Sequence, residues 1–117
     1  MSETQETQDV LTRYFRAWTG RDTPTVRSLL SPSYRFDAGG MVIEGRDAFL
    51  DNAAYPADAT TTLVAEAYQG DAGFQMYDAV RDGAGVRIVE HLTVDGGMVT
   101  GSTMITDPAA FTAFMTR

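Results

Sequence analysis

Apolar positions along this chain repeat with a helical period near the N-terminus and with a strand period over the C-terminal half. Leu11, Tyr14, Phe15 and Trp18 fall at i, i+3, i+4 and i+7, with Val10 and Ala17 widening the stripe. This predicts an amphipathic helix over Glu3 to Thr19, with Gly20 at the C′ position that closes it. Thr23-Pro24 reads as an N-cap followed by proline at N1, opening a short helix with Val26, Leu29 and Leu30. Ser31-Pro32 ends that helix, because the residue before a proline is pushed out of the helical region. Tyr34 to Ala38 then alternates, with Tyr34, Phe36 and Ala38 on one face and Arg35 and Asp37 on the other. Gly39-Gly40 turns the chain into a second short strand, Met41 to Glu44. Gly45-Arg46-Asp47 starts another helix around Ala48, Phe49 and Leu50, fading over Asn52 to Tyr55.

From Thr60 onward the pattern is that of strands. Thr60 to Gln69 alternates Thr62, Val64, Glu66 and Tyr68 against Leu63, Ala65 and Ala67. Gly70 to Gly73 turns it into Phe74 to Arg81, and Asp82 to Gly85 turns that into a last hairpin. In the hairpin two β-rich runs flank Asp95-Gly96-Gly97, where glycine reaches positive φ without steric cost. A helical segment after Pro108 carries Ala110, Phe111 and Phe114, with Asp107 as its cap. The order is helix, helix, strand pair, helix and a four-stranded meander, which predicts a single α+β domain over 1–117. A curved antiparallel sheet would wrap the helices and leave a cone-shaped cavity between them.

One position breaks the pattern. Val86, Ile88, Glu90, Leu92 and Val94 share a strand face, so Glu90 is a carboxylate in an otherwise apolar row. Such a charge is costly unless it is paired, protonated or used. Arg87, Val89, His91 and Thr93 take the opposite face.

Composition narrows the chemistry Glu90 could join. The 117 residues carry nine basic groups, all arginine, against sixteen acids, for a net charge of −7. That balance argues against nucleic acid or an anionic membrane as partner. The absence of cysteine removes thiolate chemistry, and one histidine, His91, makes no metal cluster. The polar, acidic opening lacks the basic and apolar regions of a secretory signal, and no apolar run approaches a bilayer span. A cytoplasmic location is the expectation, and arginine without lysine suggests a bacterial source.

Four short motifs carry a family resemblance: Arg13-Tyr14-Phe15 through Trp18 and Asp22; Leu29-Leu30-Ser31-Pro32 leading to Tyr34-Arg35-Phe36-Asp37; Ile43-Glu44-Gly45-Arg46-Asp47-Ala48; and Glu90-His91-Leu92 followed by Asp95-Gly96-Gly97 and Met98-Val99. In this order and spacing the chain resembles the nuclear-transport-factor-2-like superfamily, which includes SnoaL-like polyketide cyclases, ketosteroid isomerases and limonene-type epoxide hydrolases. The resemblance implies a helix-lined conical barrel with a pocket at its wide end and a homodimer through the convex sheet face. That face would carry Val89, Val99 and Ile105 among Arg87, His91, Thr93 and Thr103.

By the same resemblance, Tyr14 matches the isomerases' oxyanion-hole tyrosine and Glu90 their neutral acid. Both would donate to one developing enolate oxygen. The isomerases' proton-shuttling aspartate falls at Ala38. The neighbouring acid, Asp37, would reach the pocket only if a bulge at Gly39-Gly40 re-aimed it. The cyclases' last-strand acid has no counterpart among Ser102, Met104 and Thr106, and the hydrolases' Asp-Arg-Asp trio cannot be assembled around Arg87.

Two readings of Glu90 follow: a general acid or base, or a buried carboxylate satisfied by Tyr14, Tyr34 or Trp18. In the first, Trp18, Phe36, Tyr55, Met76, Leu92, Ser102 and Met104 line the pocket, and Asn52 and Tyr55 sit at its mouth. The chain is then a small cofactor-independent enzyme of isomerase or cyclase type, moving a proton on a hydrophobic cyclic or polyketide-like molecule. In the second it is a ligand-binding or dimerisation module without catalysis.

Overall fold

Ser2 opens the first helix by a reciprocal cap: its hydroxyl accepts from the Gln5 N–H while the Gln5 side chain accepts from the Ser2 N–H. In the computed structural model, which describes residues 2–52 and 55–116, ten elements follow in order. They are α1 (Glu3–Thr19), α2 (Thr23–Leu29), β1 (Leu30–Ala38), β2 (Met41–Glu44) and α3 (Arg46–Asn52). Then come β3 (Thr60–Gln69), β4 (Ala72–Arg81), β5 (Ala84–Asp95), β6 (Met98–Thr106) and α4 (Pro108–Met115). Of the expected fading of α3 over Asn52 to Tyr55, residues 53 and 54 lie outside the described residues.

The helix boundaries differ from expectation in two details. Gly20 keeps a right-handed conformation, and Arg21 takes the left-handed position with φ 62°. A Cβ on Gly20 would stand 2.8 Å from the Arg16 carbonyl, so the glycine answers a close approach there. The α2 cap is Asp22, not Thr23: its carboxylate accepts from both the N–H and the hydroxyl of Thr25.

The six strands form one open sheet in the order β2-β1-β6-β5-β4-β3. Every seam is antiparallel except β1 with β6, which run parallel, so the sheet is mixed where a wholly antiparallel one was expected. The meander brings β6 back beside β1 in the same direction, and everything between them serves as the long connection a parallel pair needs. Helix α1 crosses the concave face over β3, β4 and β5, with α3 against β1 and α4 against β5. It lies close because β4 presents Gly73 beneath it. A Cβ there would fall 2.9 Å from Leu11 and 2.6 Å from the Tyr68 ring.

Irregularities decide which side chains face inward. On β6 an extra residue lies between the pairs Thr93–Gly101 and Val94–Val99. Strict alternation expects Val99 on the outer face; the bulge turns it into the core, where it is fully buried. On β3 the register shifts between Leu63 and Ala65, so Leu63 pairs with buried Tyr77 while Glu66 pairs with buried Gln75. The expected alternation of Val64 with Glu66 is broken by that bulge. No described helix is long and apolar enough to cross a membrane.

Candidate functional site

Glu90 lies on the concave face of β5 between the buried residues Ile88 and Leu92, and is itself 7% exposed. Both oxygens of its carboxyl accept hydrogen bonds from flanking strands. Tyr77 of β4 donates to Oε1, and Ser102 of β6 donates to Oε2 at 2.6 Å. The residues directly opposite Glu90 are Gln75 and Met104, so both donors reach it diagonally, two residues away on each neighbour. The ion pairs among the described residues all lie elsewhere, so no arginine neutralises it. Burial pushes the Glu90 carboxyl above its ordinary range, and the Ser102 and Tyr77 bonds offset part of that rise.

Three further phenols surround the carboxyl. Tyr14 of α1 is buried, and desolvation, then Tyr34, then Glu90 push its ionisation upward. Tyr34 of β1 is fully buried, and burial and Glu90 raise it likewise. The Tyr14 and Ser102 hydroxyls stand close enough to act on it, yet no described group meets its oxygen in hydrogen-bonding geometry. Tyr55, half-buried after α3, is raised chiefly by burial; its hydroxyl bonds to Thr61, and Arg21 donates to its carbonyl at 3.2 Å.

Aromatic edges close the surroundings. Trp18 packs edge-on against Tyr55 at 5.0 Å, Tyr77 at 5.1 Å and Phe15 at 5.3 Å between ring centroids. Phe49 packs against Tyr34 at 4.9 Å and Phe36 at 5.1 Å. Such contacts add to burial and give the interior a fixed, water-poor wall.

Of the residues expected in the site, Glu90, Tyr14, Trp18, Phe36, Leu92, Ser102 and Met104 share this concave side, with Tyr55 at its edge. The direct partners of Glu90 are Tyr77 and Ser102, whereas Tyr14 makes no hydrogen bond to it and only has its ionisation raised by the nearby carboxyl. Asp37 is not among them. Phe36 pairs with inward Ser102, so Asp37, opposite Thr103, points to the outer face, where Arg35 stands 3.8 Å away. The β1 irregularity lies upstream, between Leu30 and Arg35, and Gly39-Gly40 forms only the turn. Met76 is also on the outer face, opposite Val89. Asn52 is exposed and donates to the Ala48 carbonyl of its own helix.

Tyr77 and Gln75 were the buried polar residues that alternation left unassigned. Their signal was the Asp82-Gly83 turn: with those two residues at positive φ, Arg81 pairs with Ala84 and Tyr77 with inward Ile88. Gln75 donates to the Leu11 carbonyl and to the Tyr68 hydroxyl, fastening α1 to the sheet.

A family model described as a SnoaL-like domain matches residues 11–102. The chain belongs to the SnoaL-like family. No curated protein matches it. A candidate ketosteroid isomerase from Kribbella flavida superposes with a TM-score of 0.85 at 24% identity, covering 92% of this chain and 82% of that one. A candidate SnoaL-like polyketide cyclase from Jannaschia gives 0.83 at 16% identity, with 100% and 96% covered. A nuclear-transport-factor-2-like protein of unknown function from Burkholderia pseudomallei gives 0.81 at 16% identity, with both chains covered at 100%. The fold is therefore that of the nuclear-transport-factor-2-like superfamily, as the motifs implied.

In this SnoaL-like chain two open surface hollows among the described residues lie away from Glu90. One, of about 400 Å³, separates the start of α1 from the β5–β6 turn and is rimmed by Glu3, Glu6, Asp9, Asp71 and Asp95. The other, of about 340 Å³, lies on the outer sheet face by Arg35, His91 and Thr103. Among the described residues no group of three or more His, Asp or Glu side chains is placed to hold a metal ion.

Proposed function

We propose that this SnoaL-like protein is a cofactor-independent acid–base enzyme of isomerase or cyclase type, acting on a hydrophobic cyclic carbonyl compound. One observation carries the reading: a buried carboxyl without a cation, fixed at both oxygens by Tyr77 and Ser102 and ringed by phenols. A carboxyl raised toward neutrality is suited to take a proton as carboxylate and return it as acid. Glu90 would remove the proton from the carbon beside a carbonyl, leaving an enolate, and return it at that carbon or at a conjugated one. Tyr14 would donate to the enolate oxygen, in a wall of Trp18, Tyr55 and Phe36 that excludes water.

The test uses Trp18, the only tryptophan, which touches both Tyr77 and Tyr55. Titration with polycyclic ketones should quench its fluorescence saturably, and Glu90→Leu should weaken that quenching. No quenching by any ketone, with Glu90→Leu as stable as the parent, would sink the pocket.

A second reading is a non-catalytic dimerising module, and two observations favour it. Asp37 faces outward, leaving Glu90 without a second acid, and aromatic rings pack the space around it. Under either reading we propose a homodimer through the outer sheet face, where Phe74 is 50% and Ile105 61% exposed.

A further inference from the structure

Gly101 of β6 faces outward between its register partners, Arg35 of β1 and Thr93 of β5. A Cβ there would meet only the Thr93 hydroxyl at 3.3 Å and the Arg35 carbonyl at 3.4 Å. The missing side chain thus opens the hollow of about 340 Å³ on the outer sheet face. Thr93 and Thr100, bonded to each other at 2.8 Å, line it on the side away from Arg35. One row along the strands, His91 of β5 stands opposite Thr103 and closes that end. Among the described residues the lining carries two basic side chains, several hydroxyls and no carboxylate, in a chain of net charge −7. Nor are these donors spent elsewhere. Asp37 and Glu44 stand 3.8 and 3.6 Å from the Arg35 guanidinium, too far for hydrogen bonds, and exposed pairs of this kind contribute little. The His91 ring packs on Phe74, and no hydrogen bond among the described residues engages it.

We propose that this hollow is a binding site for a tetrahedral oxyanion, a phosphate or sulfate group, held between the Arg35 guanidinium and the His91 imidazolium over the Gly101 backbone. A guanidinium presents paired donors to two oxygens of such a group, and the imidazolium and the Thr103 hydroxyl reach others. These donors come from three adjacent strands rather than from one plane, which suits a tetrahedral group better than a flat carboxylate. Both Arg35 and His91 lie on the opposite side of the sheet from Glu90, so the inference stands apart from the interior chemistry. It also makes binding depend on pH. An imidazole changes charge between about pH 5 and 8, whereas guanidinium and carboxylate groups keep theirs. The other charged groups on this face are Asp37, Glu44 and the Asp78–Arg87 pair, so only His91 switches within that range.

His91 is the only histidine, so its ring signals in proton NMR are assigned without ambiguity. Sulfate, a dianion throughout the range, is titrated at constant ionic strength into the parent, Arg35→Gln and Ile105→Asn, at about pH 5.5 and about pH 8. The His91 ring and the Gly101 amide should shift saturably in the parent. Affinity should fall about tenfold in Arg35→Gln and several-fold at the higher pH. Ile105→Asn removes an exposed apolar contact of the proposed dimer face without adding charge. It should bind sulfate at least as well as the parent, because one chain supplies the whole site. Phenyl phosphate then reads the source: tighter binding than sulfate marks a phosphorylated small molecule, and equal binding marks the free oxyanion on the same donors. Shifts that never saturate, or an affinity unchanged in Arg35→Gln, overturn the proposal. Equal affinity at both pH values removes His91 and with it the two-cation site. Binding by the parent that is lost in Ile105→Asn would belong to association of two copies and overturn it as well.

Discussion

Ser102 donates to Glu90 Oε2 at 2.6 Å although the register sets Leu92, not Glu90, across from it. Ser102 and Met104 alternate onto the concave side opposite Leu92 and Glu90, and the β6 bulge lies beyond them, between Thr93 and Val94, where it adds Val99 to the same side. Ser102→Ala leaves a buried carboxyl oxygen without its donor, and should cost about 1–3 kcal/mol in urea denaturation. Because this bond holds the Glu90 carboxyl down, its loss should raise the Glu90 ionisation further, read by carbon NMR of the labelled side chain.

The pH dependence of stability follows from the direction of that shift. The folded carboxyl lies above its ordinary 4.5, so the native state holds a proton that the unfolded chain gives up first. The Glu90 contribution is complete below 4.5 and is lost as pH rises through the folded value. Exposed Asp47 and Asp78 shift downward through Arg27 and Arg87, and their contributions are lost only as pH falls below 3.8. Urea midpoints should therefore decline from about pH 4.5 upward in the parent and stay level in Glu90→Gln.

Gly73 sets how closely α1 can lie on the sheet. Gly73→Ala puts a methyl 2.6 Å from the Tyr68 ring and 2.9 Å from Leu11, in a region held by the Gln75 bond to the Leu11 carbonyl. Overpacking of this kind should lower stability by about 1–3 kcal/mol in chemical denaturation. The exposed Gly83 in the β4–β5 turn has open space around it, so any loss in Gly83→Ala there reflects its φ of 80° alone.

Much of this was legible in the sequence, and the failures have physical causes. Glu90 stood out because β5 alternates cleanly, and its neighbours Ile88 and Leu92 are buried as that alternation requires. Asp37 faces outward by the same rule applied to Phe36 and Ala38. On β4 hydrophobicity misled: the outer row carries Phe74, Met76 and Val80, while the buried row contains Gln75 and Tyr77. An apolar outer row and a polar inner one invert the usual signal, so Met76 was expected inside and Tyr77 passed over. Val99 was misplaced because a one-residue bulge reverses alternation and leaves no mark in the residue types.

The outer face offers a separate test. Phe74 packs on His91 at 4.8 Å between ring centroids, yet remains half exposed, and Ile105 projects from β6 beside Val89. If a second copy covers this face, Ile105→Asp and Phe74→Asp should each convert a dimer to a monomer in sedimentation equilibrium while leaving Trp18 fluorescence unchanged. A parent chain that sediments as a monomer at every concentration contradicts the dimer.

Glu90 as an interior proton carrier is tested most directly by isotope exchange. Cyclic ketones are incubated with the protein in deuterium oxide, and deuterium entering the carbon beside the carbonyl is followed by mass spectrometry. Protein-dependent exchange that saturates with ketone and disappears in Glu90→Gln, with that variant folded, is the predicted result. Saturable binding of the same ketones with no exchange above buffer, or exchange undiminished in Glu90→Gln, would contradict it and leave a binding module built around a structural carboxyl.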